Sequence, residues 1–504
     1  MRIYSLFLQS VQGSMKPIKP YHVLIYLVGI LAILSPLVYF TPEGGWQFGN
    51  DVNVKFLTAE SFLHPKKQEI VDIDTIVSGV DTTVTDENIL LHQNFTKGNL
   101  GAPSGGKVSV TSASELVYSE KGKANLQSFF ETLSNVAASK NKISILHYGD
   151  SQIEGDRMTN YIRQRLQNQF GGYGPGLIAS NNVYNTYSFQ QSYSESFKRY
   201  ICFSRKNNLV SKKYGTMGSA SRFTDEYEEA TVNLSKLKLK SGWIEIKPSR
   251  KGYARLKTFN NVVMHYTDCI AHTKVKVYSN EKLIHEDTLI TDGNYHALTL
   301  TFETTPEKLR YEFEGKISPN ICAFSLEGDY GVQVSNIAMR GSSGTVFGKI
   351  SYESMKAMNA QLNTELVILQ FGGNSVPFYK DSASVRKFAG YFRGQINTVK
   401  RLNPQAMVIV IGPSDMSDLV DGIRETYKYL PYCVDQLRKV SVETGSAYWD
   451  LYTAMGGKNS MAAWVEKGFA GKDFIHFSNA GAKIASQLFY ESLIAEYLSW
   501  KETK

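Results

Sequence analysis

Cysteine is scarce in this chain, which has four among its 504 residues. The four, Cys202, Cys269, Cys322 and Cys433, lie far apart and contain no C-x-x-C pair. This spacing argues against a zinc ribbon and against a thioredoxin-type redox site. An even number of cysteines permits one or two disulfides, and buried free thiols are the alternative.

Blocks of like charge are also missing from the sequence. Lys and Arg are scattered, and the formal net charge is only +8, so the chain lacks the footprint of a nucleic-acid-binding protein. Proline is infrequent, with 14 residues, and 42% of the residues are hydrophobic. This is the composition of a globular protein with a sizeable core. A chain of this length is expected to form two or three domains.

Acidic residues do not occur before Glu43, whereas three basic residues precede the uncharged segment Tyr21–Phe40. Twenty helical residues rise about 30 Å, so we expect a transmembrane anchor at 21–40. The positive-inside rule then keeps residues 1–20 cytoplasmic and exports the rest of the chain to the periplasmic or extracellular side. A cleaved signal peptide is the alternative, although no A-x-A motif follows the segment.

After the expected anchor, a turn-rich segment is followed by a region in which apolar runs alternate with helical patterns. Residues 41–114 are turn-rich and predict a tether. From residue 115, short apolar runs such as Ile143–Leu146 alternate with helical patterns, one of them around 423–444. Apolar runs without polar alternation predict a parallel sheet covered on both faces, which is a three-layer α/β/α architecture. We assign this domain to 115–183 and 335–504.

The periodicity of the apolar residues is different between residues 184 and 334. Segments such as "TKVKVYSN" and "LRYEFEG" alternate apolar and polar residues, with turn residues between them. This alternation predicts an antiparallel β-sandwich with one wet face. Because the α/β pattern resumes afterwards, we expect the β-rich module at 184–334 to be inserted into the α/β domain.

The motif "HYGDSQIEGD", His147–Asp156, follows the first apolar run. A tight turn here would present the Ser151 hydroxyl to a substrate; an ordinary polar turn between a strand and a helix is the alternative. A serine becomes a useful nucleophile only with a base, an acid that orients the base, and donors for the oxyanion. Such groups are expected at the carboxyl ends of strands. The Ser151 N–H, at the start of the next helix, is one candidate donor.

Two further strand ends offer oxyanion donors. Asn374 ends the predicted strand in "LQFGGN", and its side-chain amide is a candidate second donor. A turn-forming asparagine is the alternative. In "AMRGSSGT", residues 338–345, a glycine could bring a bare backbone N–H close to the substrate. We choose Gly341, with Gly344 as the alternative.

The candidate base lies near the C-terminus, in "GKDFIHFSNAGA". Asp473 and His476 are three residues apart, just before a helix capped by Ser478 or Asn479. A D-x-x-H loop lets the carboxylate hold one imidazole nitrogen while the other faces the serine. The pair is weak as a metal site because no third ligand follows at a recognisable spacing. His147, beside the nucleophile turn, is less well placed to be the base.

These blocks, in this order, resemble the SGNH (GDSL-type) hydrolases. The matching positions are Gly149-Asp150-Ser151 with Gly155 for the first block, Gly341 for the second, Asn374 for the third, and Asp473 with His476 for the fifth. The resemblance implies a flavodoxin-like sheet, with Ser151 as the nucleophile, His476 as general base and then acid, and Asp473 as its orienter. It implies an oxyanion hole of Ser151, Gly341 and Asn374. It implies neither a metal nor an organic cofactor.

A narrower resemblance covers Trp449–Ala482, which is similar to the closing segment of bacterial peptidoglycan O-acetylesterases of this superfamily. Such relatives can carry a β-rich, carbohydrate-binding-like module between the first and second blocks, and the predicted insert at 184–334 fits that plan. The sequence departs from the pattern at Ser343, where these relatives often have asparagine.

The resemblance implies a serine esterase that removes O-acetyl groups from a cell-envelope polysaccharide. Its expected partners are the acetylated polysaccharide and, through the N-terminal helix, the inner membrane. A polysaccharide O-acetyltransferase is the first alternative, because the same triad serves when a membrane acetyl-donor partner loads the serine and a sugar hydroxyl accepts the acetyl group. A glycan-binding envelope protein with a vestigial site is the second.

Overall fold

A computed structural model describes residues 19–40, 45–48, 52–54, 67–78, 115–204, 206–227, 233–420 and 422–504. The predicted cytoplasmic segment, apart from its last two residues, and most of the predicted tether lie outside the described residues. The chain divides into two compact units. One consists of Met1–Glu69 and Leu419–Arg424, and the other of Ile70–Asp418 and Glu425–Lys504.

The helices of the described residues follow the apolar periodicity of the sequence. In chain order they are α1 (Pro20–Phe40), α2 (Asp74–Ser78), α3 (Glu120–Ser139), α4 (Thr159–Phe170), α5 (Tyr352–Leu362), α6 (Ser382–Leu402), α7 (Leu430–Glu443), α8 (Leu451–Ala454), α9 (Ser460–Glu466) and α10 (Asn479–Glu502). Side-chain caps begin several of them. Ser119 before α3, Asp381 before α6 and Ser478 before α10 each accept a hydrogen bond from a backbone N–H of the first turn.

The strands form one largely parallel sheet and several antiparallel ones. In chain order they are β1 (Trp46–Phe48), β2 (Val52–Val54), β3 (Leu116–Val117), β4 (Lys142–Gly149), β5 (Gly176–Ala179), β6 (Phe189–Tyr193), β7 (Lys198–Ile201), β8 (Ser219–Arg222), β9 (Lys240–Pro248), β10 (Asn261–Thr267), β11 (Thr273–Ser279), β12 (Lys282–Thr288), β13 (His296–Thr301), β14 (Leu309–Gly315), β15 (Asn320–Glu327), β16 (Gly331–Ala338), β17 (Thr364–Gln370), β18 (Met407–Ile411), β19 (Ser417–Val420), β20 (Ile423–Thr426) and β21 (Ala447–Trp449).

The central sheet has the strand order β16-β4-β17-β18-β21-β3. Its first five strands pair in parallel, and the short edge strand β3 is antiparallel. Both faces are buried, as a continuous apolar run requires. In β18, for example, Ile409 packs into the core with α3, α4 and α10, while Val408 and Val410 pack into the core with α5, α6 and α7. The carboxyl ends of β4, β16 and β17 lie side by side, because Gly149 pairs with Ala338 and Gln370.

Two antiparallel sheets occupy most of the region between β4 and β16. One has the order β13-β10-β15-β8-β7, with β5 also paired to β15, and the other has the order β12-β11-β14-β9-β6. Side chains from both sheets share one core, which includes Met264 and Phe324 from the first and Val277 and Phe313 from the second. Strand β5 joins the first sheet although it precedes residue 184. The domain boundaries, including that of the inserted module, stay predictions.

The N-terminal helix α1 does not meet the requirements for crossing a membrane. No helix of the described residues is both long enough and apolar enough to span a bilayer. The predicted transmembrane anchor at 21–40 is therefore wrong.

The predicted fold class is wrong as stated. The described chain is a mixed α/β protein in which several antiparallel sheets accompany the largely parallel one, and the membrane-spanning helix that the prediction included is not found among the described residues. The predicted helix around 423–444 is also shorter, because Ile423–Thr426 is a strand and α7 starts at Leu430. All four cysteines are buried free thiols.

Candidate active site

The candidate nucleophile sits on a sharp turn at the end of β4. Gly149 ends the strand, and a Cβ added there would lie 2.9 Å from the Ile153 side chain and 3.1 Å from the Gln370 carbonyl oxygen. The Asp150 carboxylate accepts a hydrogen bond from the Gln152 N–H at 3.0 Å. Ser151 therefore begins a short 3-10 helix, with its hydroxyl at the carboxyl edge of the sheet.

A second glycine closes the same turn. Gly155 has φ of +69°, and a Cβ there would lie 2.8 Å from the Asn185 carbonyl oxygen. Both the positive φ and the close backbone approach favour glycine. The spacing of Gly149, Ser151 and Gly155 noted in the sequence thus has a steric cause.

The loop before α10 carries the other two members of the predicted triad. Asp473 Oδ1 accepts hydrogen bonds from the N–H groups of Ile475 and His476, both at 3.0 Å. Its Oδ2 lies 2.8 Å from His476 Nδ1, and His476 Nε2 lies 2.8 Å from Ser151 Oγ. The structure therefore brings the three residues into one hydrogen-bonded chain.

The electrostatics of Asp473 keep it ionised. Partial burial by itself would raise the pKa of this carboxyl, but hydrogen bonds from the His476 N–H, the His476 ring and the Ile475 N–H outweigh that effect and lower the pKa below its ordinary value. A carboxylate at Nδ1 selects the tautomer that has its proton on Nδ1. Nε2 is then the acceptor, and the Ser151 hydroxyl donates to it.

The predicted oxyanion donors line the same cavity as the nucleophile. This cavity has a volume of about 270 Å³, and its walls include Ser151, Gly341, Asn374 and His476. Gly341 has φ of +77° and open space where a Cβ would stand, so its backbone is accessible from the cavity. The Asn374 side-chain amide donates to the Ser342 carbonyl oxygen at 3.1 Å, which ties the Asn374 loop to the Gly341 loop.

The alternative glycine of that loop has a different role. Gly344 has φ of +80°, and a Cβ added there would lie 2.6 Å from the Phe371 ring. It is required for packing and does not line the cavity. His147, the other histidine near the nucleophile, is buried between Gln370 Oε1 at 3.0 Å and Thr159 Oγ1 at 2.9 Å. Burial lowers the pKa of His147 to about 4, so it stays neutral at physiological pH.

Sequence reasoning missed Gln152, the residue after the nucleophile. Its Nε2 donates to the Ile475 carbonyl oxygen at 2.7 Å and to Ser414 Oγ at 3.1 Å, and its Oε1 accepts from the Phe477 N–H at 3.2 Å. The amide therefore bonds to the backbone on both sides of His476. A single polar side chain in a turn carries no local signal for such contacts, because its partners are more than 250 residues away in the sequence.

Two arginines near the site were also missed. Arg157 donates through Nε to the Glu154 carbonyl oxygen at 3.0 Å and through NH1 to the Phe477 carbonyl oxygen at 3.2 Å. Arg340, which lines the cavity, lies 3.6 Å from the Glu154 carboxylate. Both connect the nucleophile turn to its neighbours. In the described part of the chain no group of three or more His, Cys, Asp and Glu side chains could hold a metal ion.

No family model matches the chain, and no curated protein is similar to it in sequence. Among solved structures, a peptidoglycan O-acetylesterase matches with a TM-score of 0.59 at 21% identity, covering 76% of this chain and 99% of that one. An acetyl xylan esterase, AlAXEase, matches with a TM-score of 0.25 at 16% identity, covering 32% and 80%. A family two carbohydrate esterase from Clostridium thermocellum matches with a TM-score of 0.23 at 11% identity, covering 62% and 100%.

The first of these similarities defines the fold. The chain shares its fold with that peptidoglycan O-acetylesterase, and the predicted resemblance to peptidoglycan O-acetylesterases is confirmed at the level of the fold. The serine–histidine–aspartate geometry is an arrangement that ester hydrolases use for nucleophilic catalysis, and that is the enzyme class predicted from the sequence.

Proposed function

We propose that this protein is a serine esterase that removes O-acetyl groups from a cell-envelope polysaccharide through an acyl-enzyme on Ser151. The observation that carries the proposal is the hydrogen-bonded chain from Ser151 through His476 to Asp473, with two contacts of 2.8 Å, at the wall of an open cavity. Nucleophilic catalysis by serine requires this arrangement of nucleophile, base and orienting acid.

In the acylation half, Ser151 Oγ attacks the carbonyl carbon of the acetyl ester while its proton moves to His476 Nε2. The bond from that carbon to the sugar oxygen then breaks, and the departing sugar oxygen takes the proton from Nε2. In the deacylation half, water gives a proton to Nε2 and attacks the acetyl-serine. Acetic acid then leaves, and Ser151 Oγ regains its proton from Nε2. Asp473 stabilises the imidazolium at each stage.

The negative charge on the carbonyl oxygen in these steps needs hydrogen-bond donors. The backbone N–H groups of Ser151 and Gly341 and the side-chain amide of Asn374 are the proposed donors, since these residues line the cavity around the nucleophile. Preorganised donors of this type stabilise the tetrahedral intermediate more than the planar ester, which is what accelerates the reaction.

The size of the cavity supports a small acyl group. About 270 Å³ is near the lower limit of small-molecule sites, and apolar side chains, among them Phe371, Pro377 and Met416, form part of its wall. An acetyl methyl group suits such a wall, while the sugar lies outside. The fold shared with a peptidoglycan O-acetylesterase supports a polysaccharide as the substrate, and we propose that an O-acetylated envelope glycan is the partner of this site.

Acetate release from the full-length protein tests the proposal. We expect it to release acetate from O-acetylated peptidoglycan and to hydrolyse 4-nitrophenyl acetate. A serine-directed phosphonate should add its mass to Ser151, and Ser151→Ala should abolish both activities and the labelling. Ser128→Ala, at an exposed position on α3, is the matched control and should keep all three.

Two outcomes would contradict the proposal. The first is the absence of acetate release together with an unlabelled Ser151. The second is net transfer of acetyl groups to an unacetylated oligosaccharide with little free acetate, which would make the protein an acetyltransferase that uses the same serine.

A further inference from the structure

A second cavity lies beside the candidate active site and plays no part in the proposed chemistry. It is an open groove of about 890 Å³. On one side it is bordered by Glu154 and Arg157, on the turn that follows the nucleophile, and by Phe477, the residue after His476. On the other side it is bordered by the segment 183–187, which leads into β6 of the antiparallel region. The groove is therefore bordered by residues that lie close in sequence to both reacting residues, Ser151 and His476.

The two tyrosines of this segment are held in place. The Arg199 guanidinium lies 5.7 Å from the centre of the Tyr184 ring, which is a cation–π distance. The Tyr187 hydroxyl accepts a hydrogen bond from the Asn479 side-chain amide at 3.2 Å, and the Tyr187 carbonyl oxygen accepts one from the Ser249 hydroxyl. The Tyr187 side chain is nevertheless exposed to 43% of its possible area. A rigid, exposed aromatic ring in a groove is a feature of binding surfaces.

Most of the other residues that line the groove are polar. The side chains of Asn185 and Asn479 are exposed there, and each amide offers both donors and an acceptor. A sugar ring has an apolar face of C–H groups and a rim of hydroxyls. A fixed aromatic face with amides around it matches both parts of that surface.

We propose that this groove binds the sugar residues next to the acetylated one, and that Tyr187 supports a sugar ring there. The inference rests on the proposed function, because it extends the same substrate away from the cavity that receives the acetyl group. It predicts that the groove contributes to affinity for a polymeric substrate and contributes nothing to the hydrolysis of a small ester.

The kinetic test compares Tyr187→Ala with the unaltered full-length protein on two substrates. On O-acetylated peptidoglycan strands we expect KM to rise roughly three- to tenfold with kcat nearly unchanged, since the loss is one aromatic contact. On 4-nitrophenyl acetate kcat/KM should change less than about twofold. Tyr187→Phe keeps the ring and should retain most of the affinity for the polymer.

Tyr330→Ala is the matched control. Tyr330 is exposed to 39%, close to the value for Tyr187, but it directly precedes β16 and so lies at the amino edge of the sheet, opposite to the active site. The proposal is overturned if Tyr187→Ala leaves KM for the polymer unchanged, or if Tyr330→Ala raises it equally.

A binding measurement separates this proposal from the proposed function. Unacetylated peptidoglycan strands are sedimented with the full-length protein and with each tyrosine variant, so no ester chemistry is involved. Binding that is lost in Tyr187→Ala and kept in Tyr330→Ala supports the groove, even where no ester is hydrolysed. Equal binding by Tyr187→Ala, or no binding by the unaltered protein, refutes it.

Discussion

Replacing Gln152 by leucine would test how the base is held over the nucleophile. Leucine nearly matches the volume of glutamine but makes none of its three hydrogen bonds, to the Ile475 carbonyl, the Ser414 hydroxyl and the Phe477 N–H. Two of these bonds, to Ile475 and Phe477, connect the nucleophile turn to the backbone on both sides of His476. In Gln152→Leu, therefore, the loop that carries the base loses two of its hydrogen bonds to the element that carries the nucleophile.

The size of the effect follows from these contacts. Each hydrogen bond contributes about 1 kcal/mol net, and a buried group left without a partner costs about 1–3 kcal/mol. The expected loss in the free energy of unfolding is therefore about 2–4 kcal/mol. A base displaced by about 1 Å loses on the order of 10²-fold in rate. We expect kcat on 4-nitrophenyl acetate to fall roughly 10- to 100-fold, with KM changed less than about twofold.

Gln167→Leu provides the control for stability. Gln167 is buried like Gln152, and its Nε2 likewise donates two hydrogen bonds, here to the backbone carbonyls of Gly174 at 3.0 Å and Val332 at 3.2 Å. Val332 pairs with Ile143 near the amino end of β4, so these bonds lie at the edge of the sheet opposite to Ser151. We expect a similar loss in the free energy of unfolding, measured in urea, with kcat preserved.

The comparison of the two variants separates the positioning of the base from a general loss of stability. A kcat for Gln152→Leu no lower than that of Gln167→Leu would refute the reasoning. So would a fall in kcat that equals the fraction of unfolded enzyme under the assay conditions, because stability would then explain the loss.

Three other predictions follow. Asp473→Asn should lower kcat about 10²- to 10⁴-fold, because the His476 tautomer is no longer held; a drop below tenfold in steady-state kinetics would contradict this. Asn374→Ala should lower kcat about 10²- to 10³-fold with little change in KM, as expected for an oxyanion donor; a loss confined to KM would exclude that role. Burial lowers the pKa of His147 to about 4, so the unfolded chain binds more protons than the folded one between pH 6.5 and 4. The contribution of His147 to the free energy of unfolding is complete above pH 6.5 and falls by about 3 kcal/mol on going to pH 4. His147→Gln should remove this part of the pH dependence, measured by urea unfolding at several pH values. An unchanged pH dependence would contradict the prediction.

The sequence predicted much of the α/β core because a short apolar run without polar alternation indicates a strand that is buried on both faces. Residues buried on both faces must form central strands, and the runs at 143–148 and 406–411 do so as β4 and β18. The same reasoning failed at the N-terminus. The lack of charge over 21–40 predicts a membrane span, whereas no helix of the described residues is both long enough and apolar enough to cross a bilayer. It also failed at 423–426, where four residues with helical periodicity form a strand.

The candidate site, too, could be predicted only in part from the sequence. Each loop carried its own signal, such as glycines that a tight turn requires or an aspartate three residues before a histidine, because those contacts are local. The catalytic roles of Ser151, Asp473, His476, Gly341 and Asn374 stay predictions. The proximity of these side chains is an observation, since they share one cavity or one hydrogen-bonded chain.

The sequence alone determined the local chemistry: a serine on a tight turn, an imidazole held by its own loop, and apolar strands to support both. Only the tertiary structure decided that Ser151 meets His476 across 325 residues of chain, that Gln152 bonds to the loop of the base, and that Tyr187 borders the groove beside the site. The reason is physical. Local geometry depends on neighbouring residues, whereas these contacts depend on the parallel pairing that brings the carboxyl ends of distant strands to one edge of the sheet.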